Sequence, residues 1–292
     1  MKKSKQLFIY LIITLSLIII LFITIHQSSK EVDNNPWYFS SLNIKNNNSN
    51  DNIVCLIDSG FSGDGFNKDN IIDCYNVFDN SSDVNDECGH GTSMLSLLIG
   101  YDDGINKIIG INTKCKVVIV KAVDNNGYAT PDNVAKAITY SSKYENSIIN
   151  ISLGTYTYNE NLHLAVENAK SRGCIIVASS GDDRKNDLMY PAKFDDVLAI
   201  TCQAKNGKKY IYANDDEKSI FVPGVNVNVF GLDTSTEKFE IYSTSGSSIS
   251  TIIFSAIISK IDLNLHTIDY DYLKDCKTKN LIIDTEKIVK QK

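Results

Sequence analysis

Ile53-Val54-Cys55-Leu56-Ile57-Asp58-Ser59-Gly60 opens the foldable part of the chain. Five consecutive apolar residues closed by an Asp-Ser-Gly turn signal read as a strand buried on both faces. The pattern recurs downstream. Residues 115–123 are rich in β-branched side chains and end at the turn Asp124-Asn125-Asn126-Gly127, and 148–153, 174–178 and 197–202 are further short apolar runs. Helical patterns lie between them. One covers 92–98 and is closed by Gly100, one starts at Thr130-Pro131 (an N-cap followed by an N1 proline) and runs to about 144, and one spans 161–172. Continuous apolar strands alternating with helices predict an α/β fold, a mostly parallel central sheet with helices on both faces. In such sheets the working residues gather at the carboxyl ends of the strands.

Upstream, residues 7–25 form a run of nineteen without a charge, Gly or Pro. A helix of that length reaches about 28 Å, close to the ~30 Å hydrocarbon core of a bilayer. Lys2, Lys3 and Lys5 precede it and only Lys30 follows closely. The positive-inside rule then puts the amino terminus in the cytoplasm and the remainder outside. Residues 1–25 are therefore expected to be a single-pass anchor in the cytoplasmic membrane. The alternative is a chain secreted after signal cleavage, against which stand the length of the run and an exit, Ile25-His26-Gln27-Ser28-Ser29, without an alanine pair. Residues 26–52 read as an Asn-rich flexible tether, interrupted by Trp37-Tyr38-Phe39, which either docks onto the body or stays loose. Residues 53–292 remain, the length of one compact domain. Of 29 basic residues, the three lysines before the run leave 26 against 35 acids in the rest. An acidic body excludes nucleic acid as a partner, because phosphate binding needs clustered Lys and Arg.

Three short motifs stand at strand ends or helix starts. Asp58 follows the first strand, His90 lies in Gly89-His90-Gly91-Thr92, and Ser248 lies in Ser245-Gly246-Ser247-Ser248-Ile249-Ser250, before the apolar stretch 252–258. Singly, each has a plain structural reading: a turn-forming Asp, a loop His, a Ser capping a helix. Together they stand in the order Asp, His, Ser at intervals of 32 and 158 residues.

On these residues the chain resembles the subtilisin-like serine proteases, the subtilase family (peptidase family S8). Val54-Cys55-Leu56-Ile57-Asp58-Ser59-Gly60-Phe61 is similar to the family's Asp motif, and His90-Gly91-Thr92 to the start of its His motif. Ile151-Ser152-Leu153-Gly154 resembles the strand forming one wall of the specificity pocket. Tyr190-Pro191-Ala192-Lys193-Phe194, Phe221-Val222-Pro223-Gly224-Val225 and Asn280-Leu281-Ile282-Ile283-Asp284 also match family segments, so the likeness covers about residues 53–290. It implies a three-layer subtilisin-like fold and a serine endopeptidase acting on peptides or proteins outside the membrane, as a monomeric ectodomain. Ser248 would be the nucleophile, since Ser245 and Ser247 do not keep the family spacing after Gly246. His90 would be general base and then acid, and Asp58 would orient His90. Ser152-Leu153-Gly154 and Gly127-Tyr128-Ala129 would be extended edges on which a substrate strand adds. The competing expectation is a catalytically impaired subtilase-fold pseudoprotease that binds a peptide or protein partner.

Three departures bear on activity. Asp182 occupies the oxyanion position, where the family carries an Asn whose amide donates to the developing negative charge; an ionised Asp accepts instead. Ser247, Ser250 and Ile252 replace the usual Thr, Ala and Pro, and Met94-Leu95-Ser96 follows the His motif where smaller residues are common. Finally, the tether occupies the place of the family's propeptide, so none is expected. Seven cysteines include Cys55, Cys174 and Cys202 in core strands, with Cys74 and Cys88 the best candidate pair. Zinc is not expected, since four scattered histidines and no C-x-x-C offer no site. The reading requires no cofactor. Family members often bind structural calcium, for which the Asp-rich loop 79–86 is the candidate, without a clear motif.

Overall fold

The computed structural model describes residues 36–42, 44, 52–261, 268 and 273. The hydrophobic run 7–25 lies outside the described residues, as does the matched segment 280–284. Among the described residues, no helix is long and apolar enough to cross a membrane.

Strand β1 (Ile53–Asp58) forms where the apolar run predicts it. Its side chains alternate between two apolar clusters, Val54 and Leu56 joining one, Cys55 and Ile57 the other. The described residues build a seven-stranded sheet around it, in the order β2 (Ile71–Asn76), β5 (Lys116–Lys121), β1, β6 (Ile148–Ile151), β7 (Ile175–Ser179), β8 (Val197–Gln203) and β9 (Ile220–Pro223). Every pairing in it is parallel. Against one face pack α2 (His90–Ile99), through Met94, Leu95 and Leu98, and α5 (Ser247–Ser259), through Phe254 and Ile257. Against the other pack α3 (Pro131–Ser141), through Ala135 and Ile138, and α4 (Glu160–Ser171), through Leu162 and Val166. This is the three-layer α/β architecture expected.

Local chemistry explains the helix ends. Thr130 caps α3, its hydroxyl accepting from Asn133 N at 3.2 Å, with Pro131 at the first helical position. That helix stops at Ser141, short of 144, because the chain tightens: Lys143 N bonds Tyr140 O and Tyr144 N bonds Ser141 O, the closer spacing of a 3₁₀ turn. Asn159 caps α4 by accepting from Leu162 N at 2.8 Å.

Further elements resolve or add to the expected set. Within the proposed tether, Trp37–Ser41 is a short helix, α1, and Tyr38, Phe39 and Leu42 are buried in the same cluster as α2 and α5. This part of the spacer docks on the body, and burying each such aromatic contributes about 1.5–3 kcal/mol. In addition, β10 (Val227–Asp233) and β11 (Lys238–Thr244) form an antiparallel hairpin that packs on α2. Two short strands, β3 (Tyr101–Asp102) and β4 (Lys107–Ile108), pair between α2 and β5.

A polar seam runs through the buried interface between α5 and the sheet. Ser250 Oγ donates to Val222 O at 2.8 Å, Ser255 Oγ to Asn150 Oδ1 at 2.9 Å, and Asn112 Nδ2 to Ser259 Oγ at 2.9 Å. These hydroxyls are small enough to be buried along a helix and are satisfied there, as buried polar groups must be.

Candidate active site

Asp58 is the last residue of β1 and His90 the first of α2. The Asp58 Oδ1 atom accepts from Ser59 N at 2.8 Å and faces His90 Nδ1 at 2.7 Å. An ionised carboxylate only accepts, so the hydrogen sits on Nδ1 and the lone pair of Nε2 is left available. Asp58 is almost fully buried, at 1% exposure, whereas 41% of the His90 side chain is open to solvent. Desolvation pulls the imidazole's pKa down, but the charge and hydrogen bond of Asp58 outweigh it, and the net shift is upward.

The loop that delivers His90 is held by Asp86, which is buried. Its Oδ1 accepts from Cys88 N at 3.0 Å and Gly89 N at 2.8 Å, and its Oδ2 from Thr92 N at 2.9 Å and Thr92 Oγ1 at 2.6 Å. Gly89, in the left-handed region at φ 76°, cannot cap α2 itself. Asp86 therefore supplies the cap and places a negative charge at the positive end of the helix. Asp86→Ala is expected to lower stability by about 2 kcal/mol, the upper range for a helix cap. Urea unfolding measures this, and an unchanged midpoint would show that other groups hold the loop.

Ser248 is the second residue of α5. Its Oγ donates to Ser152 O at 3.3 Å, and Ser152 Oγ donates to Ser248 O at 3.3 Å. The network continues inward, from Ser152 Oγ to Asn150 Nδ2 at 3.3 Å and from Asn150 Oδ1 to Ser255 of the seam. Ser152 follows Ile151, which pairs with Ile57. Ser152 therefore extends the strand next to that of Asp58, about 4.8 Å away in the hydrogen-bonding direction. Among the described residues no hydrogen bond joins Ser248 to His90; in unliganded sites such bonds are often long and tighten when substrate binds.

Asp182 comes to the same helix from the end of β7. Its carboxylate accepts from Ser247 N at 2.9 and 3.1 Å and from Ser247 Oγ at 2.9 Å, capping α5 where Gly246 has no side chain to do so. The residue is exposed, yet its carboxylate is crowded by neighbouring atoms. Desolvation raises its pKa above the ordinary carboxylate value, against the pull of the Ser247 hydrogen bonds and with added push from Asp183.

A sequence model of the subtilase family matches residues 49–289. The chain belongs to the subtilase family. Among curated relatives, it is 31% identical to a minor extracellular protease, Epr, of Bacillus subtilis over 201 residues, 68% of this subtilase and 30% of that protein. It is 31% identical to a thermostable alkaline protease of Halalkalibacterium halodurans over 144 residues, 49% of this chain and 40% of the other. It is 28% identical to thermitase of Thermoactinomyces vulgaris over 139 residues, 48% of this chain and 50% of the other. The match thus spans half or less of each of these relatives. The crystal structure of a cold adapted subtilisin-like serine proteinase superposes with a TM-score of 0.69 at 19% identity, covering 87% of this chain and 95% of that one, which shows the fold.

In this subtilase the two expected substrate edges meet. Gly127, Tyr128 and Ala129 on one side and Leu153 and Gly154 on the other line a cavity of about 200 Å³, together with Tyr190. Ser152 is placed differently, against Ser248. The Cys74–Cys88 pairing is not formed: both thiols are free, and Cys88 Sγ donates to Asp124 O at 3.1 Å. Flanking the same loop had brought the two together in sequence only, since Cys74 belongs to β2. In the loop 79–86, the candidate for calcium, Asp79 and Asp83 accept from backbone N–H groups of the loop and Asp86 from that of Gly89. Among the described residues no group of three or more His, Cys, Asp or Glu side chains converges.

Sequence reading missed Asp86 and Asn150. Asp86, four positions before His90 and three before Gly89, had a legible capping signal. Asn150 had one too, as the only polar residue in the apolar run Ile148–Ile151. Asn214 had none. It is buried, and its Oδ1 accepts from Asp183 N at 3.0 Å and Lys185 N at 2.9 Å while its own N–H donates to Gly181 O. It thereby clamps the segment that carries Asp182 from a loop thirty residues away.

Proposed function

We propose that this subtilase is a serine endopeptidase working through Asp58, His90 and Ser248 outside the cytoplasmic membrane. The observation that carries the reading is the 2.7 Å Asp58–His90 hydrogen bond, set beside a serine at the start of a buried helix. Ser248 Oγ attacks the scissile carbonyl carbon as His90 Nε2 takes the hydroxyl proton. The C–N bond then breaks, and the proton passes from His90 to the leaving amine. Water, deprotonated by the same imidazole, cleaves the resulting ester and restores Ser248. Asp58 keeps the imidazole in the Nδ1–H tautomer and stabilises its transient positive charge. A substrate strand adds along Leu153-Gly154 and Gly127-Tyr128-Ala129, with an upstream apolar side chain in the cavity between them. The extracytoplasmic location is supported by the lysine-flanked run at 7–25 and by the extracellular relative in Bacillus subtilis.

The test is labelling of the purified chain with a fluorophosphonate probe across pH, beside Ser248→Ala. Labelling of the wild type, absent in the variant, is expected. Absence of Ser248-dependent labelling at every pH would refute the proposal.

A further inference from the structure

We infer that Met189 closes the slot beside Ser248, so that this subtilase cuts after residues with small side chains. The inference rests on the reading of Ser248 as nucleophile and adds the substrate class to it.

Past their paired residues Ile151 and Ala178, the adjacent strands β6 and β7 run on to Ser152-Leu153-Gly154 and to Ser180-Gly181-Asp182. Both segments touch the start of α5. Ser152 O accepts from Ser248 Oγ at 3.3 Å, and Asp182 accepts from Ser247 N at 2.9 Å. The gap between the two segments therefore opens directly beside the nucleophile. For attack, the carbonyl carbon must lie about 3 Å from Ser248 Oγ. The side chain on that same residue then has this gap to enter.

Met189 occupies it. A Cβ added at Gly154 would lie 2.7 Å from Met189 Cβ and 3.0 Å from its Sδ. One added at Gly181 would lie 2.7 Å from Sδ and 3.0 Å from Cγ. The thioether is thus wedged between the backbones of the two walls, and the facing glycines are what make room for it. Its backbone is pinned, Met189 N donating to Ser180 O at 3.2 Å and Met189 O accepting from Lys193 N at 3.0 Å. The next residue is fixed as well, with Tyr190 N on Thr155 O at 2.7 Å. The side chain cannot retreat with its main chain. Met189 remains half-buried, so its outer surface forms the floor on which an incoming side chain lands. Alanine or serine fits above that floor. A phenyl ring has to displace an unbranched but wedged side chain, and lost complementarity on this scale discriminates at least about tenfold.

Two peptide p-nitroanilides, identical except for Ala or Phe at the residue before the scissile bond, test this with the full chain. The wild type is expected to show kcat/KM at least about tenfold higher for Ala, and Met189→Gly to shift the Phe-to-Ala ratio at least about tenfold toward Phe. Met189→Ala, which keeps a side chain and so more of the packing, should shift the same ratio in the same direction. A wild type that favours Phe, or variants that leave the ratio unmoved, would overturn the inference while leaving the proposed mechanism intact. Absence of Ser248-dependent cleavage of both peptides would overturn the mechanism and the inference with it.

Discussion

Asp182→Asn is expected to raise kcat/KM near neutral pH by roughly 100- to 1,000-fold, the range associated with one oxyanion-stabilising donor. The geometry permits the exchange without loss of the cap. Asp182 Oδ2 holds both the N–H and the hydroxyl of Ser247, so an amide oxygen there keeps both bonds, and the NH₂ that replaces Oδ1 gives up only the longer contact to Ser247 N, at 3.1 Å. In the wild type, two requirements oppose each other. His90 acts as a base only when neutral, so activity falls as pH drops through its raised pKa. Asp182 donates only when protonated, so that help disappears as pH climbs through its own raised value. Its surroundings include Asp183, the Tyr210 ring, Cys202 and Ser247, with the Arg184 guanidinium on the neighbouring Tyr212 ring. The variant's kcat/KM profile should therefore retain the His90 limb alone. A variant slower than wild type at every pH would show that Asp182 is no handicap. The same shifts bear on stability. Both folded-state pKa values are raised, so protonation of each group favours the fold; this stabilisation is full below the unfolded value and is lost as pH rises through the folded one.

Asp58→Asn should cut kcat by about 10,000-fold with little change in fold, because it attacks the tautomer. The single oxygen facing His90 also accepts from Ser59 N. With the amide oxygen kept there, an NH₂ is buried at Oδ2, which has no partner among the described residues. With the amide flipped, an NH₂ meets Nδ1, forces the hydrogen onto Nε2 and removes the base. Steady-state kinetics on a peptide substrate, with circular dichroism as the control for folding, measure the effect. A loss under tenfold would mean that His90 is oriented by something other than Asp58.

The parts of the molecule legible in sequence are those whose signal is local. The Ile53–Asp58 strand declares itself by a continuous apolar run, and burial on both faces is what such a run means. The cap at Thr130 follows from short-range hydrogen bonding. Edge elements are weaker. The strand Ile71–Asn76 carries Asp73 and is only partly buried, and the Val227–Thr244 hairpin pairs a largely buried strand with a largely uncovered one around a polar turn, without a clean alternation. Illegible were contacts between distant segments: the place under α2 and α5 where Tyr38 and Phe39 dock, the Asn214 clamp, and the wedge of Met189 between glycines 35 and 8 positions away. A sequence states which side chains are apolar or able to cap, but not which gap they fill.

The serine seam of α5 has a consequence for how this scaffold can change. Hydroxyls at positions 250, 255 and 259 key the helix to the β8–β9 side, the central strand and the loop between β4 and β5, three bearings spread over more than two turns. Sliding it by a turn, about 5.4 Å, or rotating it by one residue would strand all three in a buried interface. Ser248 rides on this shaft and inherits its fixed setting. On the proposed mechanism, new preferences must therefore be written in the surrounding loops, where Tyr128 and Met189 sit, while the Ser248 hydroxyl stays at a fixed datum.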